Sequence, residues 1–110
     1  PWFATAFHEL AHSTGASNRL NRQGITYNGI KPEDKKKVYA EEECIAEIAA
    51  YLCCAECGVY NFKTSGTVQF QNNVAYVQYW KERIKDFGKG FMFICAQADK
   101  AFNYIINDEI

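Results

Sequence analysis

The chain has 110 residues, of which 48% are hydrophobic and 23% are charged, and its formal net charge is -1 at pH 7. This length suits one small domain, and the composition is that of a folded globular protein rather than a disordered chain. The near-neutral charge lacks the basic excess of a typical nucleic-acid-binding domain. No apolar run reaches the roughly 18 residues that a transmembrane helix needs. We therefore expect one domain over residues 1–110, with no membrane as partner.

The cysteines favour a cytoplasmic location. The chain has five, an odd number, and Cys53, Cys54 and Cys57 crowd into one stretch, which is unlike the paired framework of an extracellular protein. Cys54 and Cys57 form a C-x-x-C, but without a second such pair the motif favours small core residues over a redox or zinc site. The start at Pro1, without an initiator methionine, indicates a piece of a longer protein.

The first predicted helix covers about residues 2–14. Apolar residues recur there at three- and four-residue spacing, and Gly15 follows as a stop. Residues 15–31 are polar and rich in turn formers, and Asn28 with Gly29 suits a tight hairpin turn. This segment is predicted to be a loop that contains at most a minor β-hairpin.

Three further helices are predicted along the rest of the chain. Pro32 and the two acids after it suit a helix N-terminus, and helix-forming residues then run to Gly58. The segment 59–71 is a connector or a short strand pair, since it is rich in β-branched and aromatic residues. An asparagine cap and apolar stripes indicate helices over about 72–87 and 91–107. We therefore predict a mainly α domain of about four principal helices.

Both histidines of the chain lie in the string HELAH, which fits the motif H-E-x-x-H. Residues four apart lie one above the other on a helix, so the rings of His8 and His12 can converge on one ion. Zn²⁺ suits these donors, and in catalytic sites it takes three protein ligands and one water. Glu9 is turned to one side, where its carboxylate can accept a proton from such a water. Glu9 is therefore the candidate catalytic base.

A third ligand has to come from another part of the chain, and the second predicted helix offers carboxylates in the string YAEEECIAEIAAYL. Glu43 and Glu47 are four residues apart on one face, where like charges repel each other unless a cation lies nearby. We assign Glu43 as the third metal ligand. Glu47 is assigned as the acid that accepts the remaining ring N–H of a ligating histidine. Tyr39 lies on the same stripe as Glu43 and is a candidate for a hydroxyl near the substrate.

Simpler interpretations of these residues stay open. H-E-x-x-H occurs by chance in many helices, and two histidines can be satisfied polar groups at the edge of a core. The run Glu41, Glu42 and Glu43 near a helix start can serve the helix dipole and solvation alone. Arg19 and Arg22 can hold an anionic substrate or phosphate, although surface solvation or a clamp on an acidic side chain is the more common role.

Three motifs in order resemble those of a known family. The strings HELAHSTGASNRLNR, YAEEECIAEIAAYLCC and AYVQYWKERIKD resemble the zincin-like metallopeptidase domain at the C-terminal end of ArdC-type antirestriction proteins and of related polyvalent proteins of plasmids and phages. The resemblance covers most of the chain. Carried over position by position, it implies the roles assigned above for His8, Glu9, His12, Glu43 and Glu47.

The resemblance adds further expectations. Tyr76 and Trp80 match a later aromatic motif of the family, to which we assign no role. Cys44 stands where the family commonly has Leu, away from the expected chemistry. Family members carry an N-terminal domain that binds single-stranded DNA, so the full-length protein is expected to bind it too. Zincins also align an extended peptide on a sheet edge beside the active-site helix, and this sequence does not show such an edge.

Three functions are compatible with these observations. The leading one is a zinc-dependent metallopeptidase that acts on a peptide or protein substrate, associated with antirestriction or DNA transfer. The second is a metal-stabilised interaction module of an antirestriction or single-stranded-DNA-binding protein, which cleaves no peptide. The third is a helical module without a metal.

Overall fold

The fold is built from a helix that carries both histidines and two longer helices that pack beside it. A computed structural model of the chain describes residues 2–58, 78, 81–82, 84–88 and 90–107. Its elements are α1 (Trp2–Ser13), α2 (Gln23–Thr26), a 3-10 helix (Pro32–Asp34), α3 (Lys35–Cys57) and α4 (Gly90–Asn107). Within these described ranges no β-strand occurs, and the predicted mainly α fold class is confirmed.

The predicted helix ends are confirmed to within a few residues. Helix α1 ends at Ser13, two residues before Gly15. Helix α3 ends at Cys57, and Gly58 caps it in the left-handed conformation with φ of 71°, which glycine adopts without a steric penalty. The helix predicted over 72–87 lies largely outside the described residues, although 78, 81–82 and 84–87 are helical. The segment 59–71 lies wholly outside them.

The minor β-hairpin that the sequence allowed around Asn28 is not present in the described segment. The chain forms the single-turn helix α2 before this point, and Tyr27 and Gly29 then reverse it with φ of 55° and 75°. The physical reason is the docking of α2 on α3, because a Cβ added to Gly24 would overlap the Cβ of Glu42. The backbone of this segment therefore lies against a neighbouring helix instead of pairing with the chain that follows it.

The hydrophobic core lies where α1 and α4 pack against α3. Its fully buried members are mostly small, and Ile94 is among the largest completely buried side chains. They include Ala11, Ala46, Ala49, Ile94, Ala98 and Ala101. Small side chains at these positions let the helices approach closely. The core therefore fixes α1 against α3, and this contact positions the candidate site.

The cysteines are all free thiols. Cys53 and Cys54 are buried, whereas Cys57 is exposed at the end of α3. Burial raises the pKa of the Cys53 thiol to about 11, which makes it inert at neutral pH. The prediction that the C-x-x-C residues lie in the core is thus confirmed for Cys54 and wrong for Cys57.

Among the described helices, none combines the length and the hydropathy that crossing a membrane requires.

Candidate metal centre

Helix α1 presents both histidine rings to α3. His8 and His12 are one helical turn apart, their ring centroids are 4.7 Å apart, and the ring planes are inclined by 78°. The two Nε2 atoms lie 3.0 Å from each other. The four-residue spacing of the H-E-x-x-H motif therefore brings two imidazole nitrogens together.

The carboxylate of Glu43 on α3 completes the cluster. Its Oε2 lies 3.2 Å from Nε2 of His8, and its Oε1 lies 3.2 Å from Nε2 of His12. One donor atom from each of the three half-buried side chains lies within 4.8 Å of the others. Donors held at about 2.0–2.2 Å from a tetrahedral zinc ion are about 3.3–3.6 Å apart. The observed spacing therefore fits such an ion after a small outward movement of the side chains.

A buried carboxylate orients the ring of His12. His12 Nδ1 donates to Oε2 of Glu42 at 2.9 Å, and Glu42 is only 2% exposed. A proton held on Nδ1 leaves the lone pair of Nε2 for a metal ion, which is the usual task of such a partner. The acid predicted for this task is Glu47, but the carboxylate that contacts Nδ1 of His12 is that of Glu42.

Arg22 lies behind Glu42 and is itself buried. Its Nε donates to Oε1 of Glu42 at 2.8 Å, and its Nη2 donates to Oε2 at 2.9 Å. Nη1 donates to Oγ1 of Thr14 at 2.7 Å, and Nη2 also donates to the carbonyl oxygen of Ala11 at 2.6 Å. Of the roles left open for Arg22, the clamp on an acidic side chain is confirmed.

Sequence reasoning missed Glu42 as a functional residue. Consecutive residues on a helix point about 100° apart. The four-residue spacing that predicted Glu43 as a ligand therefore predicts no role for Glu42. The run of three glutamates also matched an ordinary solvated helix start. What identifies Glu42 is its contact with Arg22. This contact depends on how the loop after α1 packs, and no periodic pattern in the sequence predicts it.

The hydrogen bonds and charges of the cluster shift two pKa values. The hydrogen bond to Glu42 raises the pKa of His12 above its usual value, with support from the charges of Glu42, Glu43 and Glu9 and opposition from burial. Burial by itself raises the pKa of Glu42, but the hydrogen bonds from Arg22 and His12 outweigh it and hold this pKa below its usual value. Glu42 is therefore a carboxylate at neutral pH.

Glu9 and Glu47 are the two remaining acids for which the sequence predicted a role in the site. Glu9 is exposed on α1, and its charge acts on His12. Glu47 is half-buried on α3 and lines, together with His8, a cleft of about 490 Å³ between α1 and α3. That Glu47 accepts the remaining ring N–H of His8 stays a prediction.

Tyr39 lies beside the cluster, whereas Arg19 does not contribute to it. The negative charge of Glu43 and a hydrogen bond to that carboxylate raise the pKa of Tyr39, which is 56% exposed. Arg19 donates to the carbonyl and hydroxyl oxygens of Ser13 and lies 5.8 Å from the centre of the Tyr104 ring. The matched aromatic positions 76 and 80 fall outside the described residues.

Comparison with known proteins identifies the family. The model of a family described as zincin-like metallopeptidase matches residues 1–98. The chain belongs to the zincin-like metallopeptidases. It is also 30% identical over 105 residues to the DNA primase TraC of Escherichia coli, a match that covers 96% of this chain and 6% of that protein. No solved structure matches the chain.

Membership among the zincin-like metallopeptidases implies a metal ion, typically zinc, and confirms the family resemblance inferred from the three motifs. The side chains of the centre fit that implication. His8 and His12 supply imidazole nitrogens and Glu43 supplies a carboxylate oxygen, the donor types that zinc binds in proteins. The buried partner of His12 completes the arrangement expected around a zinc ligand.

Proposed function

We propose that this zincin-like domain is a zinc-dependent metallopeptidase that hydrolyses peptide bonds. The observation that supports it most directly is the meeting of both Nε2 atoms with the carboxylate of Glu43. Two histidines and one glutamate are the protein ligands of established catalytic zinc sites, which keep a further position for water. Zinc held by these residues supplies a Lewis acid for the peptide carbonyl and lowers the pKa of water from about 15.7 to about 7.

In this proposal Glu9 acts as the general base. It follows His8 directly on α1 and is exposed, so its carboxylate can approach an attacking water without displacing a ligand. It accepts a proton as the water oxygen bonds to the peptide carbon, and it returns that proton to the amine when the carbon–nitrogen bond breaks. In the same proposal Tyr39, an exposed residue beside Glu43, donates its hydroxyl to the substrate carbonyl oxygen.

The proposed substrate is a peptide or protein segment that lies in the cleft beside His8. The cleft volume of about 490 Å³ is within the range of about 300–1,000 Å³ that is usual for ligand sites. Ala4 and Thr5 of α1 line it on one side, and Ala50 and Tyr51 of α3 line it on the other. These mostly small residues leave room for a substrate side chain next to the metal centre.

The proposed setting is antirestriction or DNA transfer in the cytoplasm. The support for it is the resemblance to ArdC-type proteins and the similarity to a protein named DNA primase. Five free thiols suit a reducing compartment. Binding of single-stranded DNA by another domain of the full-length protein belongs to the same proposal.

The alternative is a metal-stabilised interaction module that cleaves nothing. It is favoured by the buried contacts of Arg22 and Glu42, which tie the metal centre to the packing of α1 against α3 as a structural site would. Both functions require a bound metal ion, so metal content does not distinguish them.

Hydrolysis by the full-length protein distinguishes these functions. A peptide library is incubated with the zinc-loaded protein, with the protein after treatment with a chelator, and with the variant Glu9→Gln. We expect cleavage that the chelator abolishes and zinc restores, and a Glu9→Gln protein that retains zinc without turnover. Glu56→Gln, at an exposed position near the C-terminal end of α3, is the matched control, and this variant should cleave peptides normally.

Retained hydrolysis in Glu9→Gln would remove this residue from the role of base. A zinc-loaded wild-type protein that cleaves no peptide would instead favour the interaction module. Freshly purified protein without a stoichiometric metal ion would favour the helical module without a metal.

A further inference from the structure

The buried pair of Arg22 and Glu42 lies directly behind the ring of His12. We propose that Arg22 is a positioning residue of the metal centre: through Glu42 it holds the His12 proton on Nδ1 and directs Nε2 towards His8 and Glu43. This role, which rests on the proposed function, brings a residue of the loop between α1 and α2 into the centre.

One oxygen atom links Arg22 to the histidine. Oε2 of Glu42 accepts from Nη2 of Arg22 at 2.9 Å and from Nδ1 of His12 at 2.9 Å. Oε1 of Glu42 accepts from Nε of Arg22 at 2.8 Å, so the guanidinium fixes the plane of the carboxylate. Any shift of Arg22 therefore moves the atom that orients His12.

The other donors of Arg22 fix it to the helix that carries the histidines. Nη2 donates to the carbonyl oxygen of Ala11, the residue before His12, and Nη1 donates to Oγ1 of Thr14. The Thr14 hydroxyl donates in turn to the same Ala11 carbonyl at 2.6 Å. One side chain thus sets the position of the final turn of α1 relative to the segment of α3 that supplies Glu43.

Only arginine has the shape for these contacts. Its planar guanidinium presents five N–H donors in a fixed fork, whereas lysine has a compact ammonium with three donors. Lysine would preserve the charge beside Glu42 but would not reach both carboxylate oxygens, Thr14 and Ala11 together. Arg22→Lys therefore separates positioning from charge.

The experiment compares Arg22→Lys with Arg19→Lys in the full-length protein. Arg19 is exposed in the same loop, and its side chain contacts Ser13 and Tyr104 rather than Glu42 or His12. Nitrogen NMR of labelled histidine in the metal-free protein, at a pH well above the titration of the imidazole, reports which ring nitrogen of His12 carries the proton. Competition with a chromophoric chelator then gives the zinc affinity.

We expect the proton on Nδ1 in the wild type and in Arg19→Lys, with equal zinc affinity. Arg22→Lys should show a mixture of the two tautomers and bind zinc about 10- to 100-fold more weakly, the range typical for loss of a partner behind a metal ligand. An unchanged tautomer and affinity in a folded Arg22→Lys protein would overturn the proposal. So would a wild-type His12 with its proton on Nε2, a measurement that requires no variant to fold.

These readouts separate the positioning role from the proposed function. If the wild type binds zinc but cleaves no peptide, a weaker affinity in Arg22→Lys still supports positioning. If the wild type binds no zinc, the proposed function fails and the tautomer comparison alone decides the role of Arg22.

Discussion

The Nε2 atoms of His8 and His12 lie 3.0 Å apart, and one carboxylate contacts both. Glu43 reaches His8 across 35 residues of sequence, so the cluster depends on the packing of α1 against α3. Two histidines that merely satisfy their hydrogen bonds at a core edge do not need to share one carboxylate as these two do. The three side chains form a site whose properties can be tested one residue at a time.

Replacement of Glu43 by glutamine should weaken zinc binding more than any change behind the ligands. The amide oxygen is a poorer donor than a carboxylate, and the negative charge that offsets the ion is lost. We expect a loss of affinity beyond the about 10- to 100-fold typical for a partner behind a ligand. Competition with a chromophoric chelator measures it.

Glu41→Gln is the matched control for this change. It removes the same charge two residues away on α3, from a side chain that lines a different cavity. Equal affinities for the two variants would show that Glu43 does not bind the metal.

The metal-free protein should be most stable to unfolding between about pH 4.5 and 6.5. The pKa of folded His12 is raised above 6.5, so its contribution is complete below 6.5 and is lost as the pH rises through the raised value. The pKa of folded Glu42 is lowered below 4.5, so its contribution is complete above 4.5 and is lost as the pH falls through the lowered value.

Urea unfolding across this pH range, in the presence of a chelator, measures the profile. Glu42→Gln should flatten it, because the variant removes the hydrogen bond that chiefly raises the pKa of His12. A wild-type stability that continues to rise from pH 6.5 upwards would contradict the assignment. Zinc should stabilise the protein increasingly as the pH rises, since the ligating histidine has to lose its proton.

The sequence predicted those parts of the molecule that follow from local periodicity. The end of α3 at Gly58 and the shared face of His8 and His12 depend on residues within a few positions of each other. The pairing of Glu43 with the histidines was inferred from charge, because two acids on one helix face suggest a cation nearby.

The parts of the molecule that the sequence did not predict depend on contacts between distant segments. Glu42 looked like one member of a solvated acidic run, and only the docking of the loop that carries Arg22 shows why it is buried. The docking of α2 on α3 also explains why no hairpin forms at Asn28, where a good hairpin turn is overridden by the contact of Gly24 with α3. Turn propensity is a weak prior beside such packing.

Gly24→Ala should disturb the metal centre without changing a polar group. The added methyl would overlap the Cβ of Glu42 and approach its Cγ, so the carboxylate or α2 has to move. We expect a loss of about 1–3 kcal/mol in the free energy of unfolding, as for other overpacked sites, together with weaker zinc binding. Urea unfolding and chelator competition measure the two effects.

Gly90→Ala provides the comparison, since a Cβ at Gly90 meets no atom of the described residues within 4 Å. This substitution should leave zinc affinity unchanged and alter stability by less than about 1 kcal/mol. If Gly24→Ala behaves like Gly90→Ala, the close contact between α2 and Glu42 is absent in solution.

Ile94→Ala tests whether stability and metal binding can be separated. Ile94 is completely buried in α4, where it belongs to the hydrophobic core. Its truncation should lower the free energy of unfolding by about 2–5 kcal/mol, whereas Met92→Ala, at a position that is 75% exposed, should change it by about 0.5 kcal/mol or less. Because the three donors found among the described residues come from α1 and α3, the folded fraction of Ile94→Ala should bind zinc with wild-type affinity. A matching loss of affinity would mean that α4 holds α1 and α3 in the geometry of the centre.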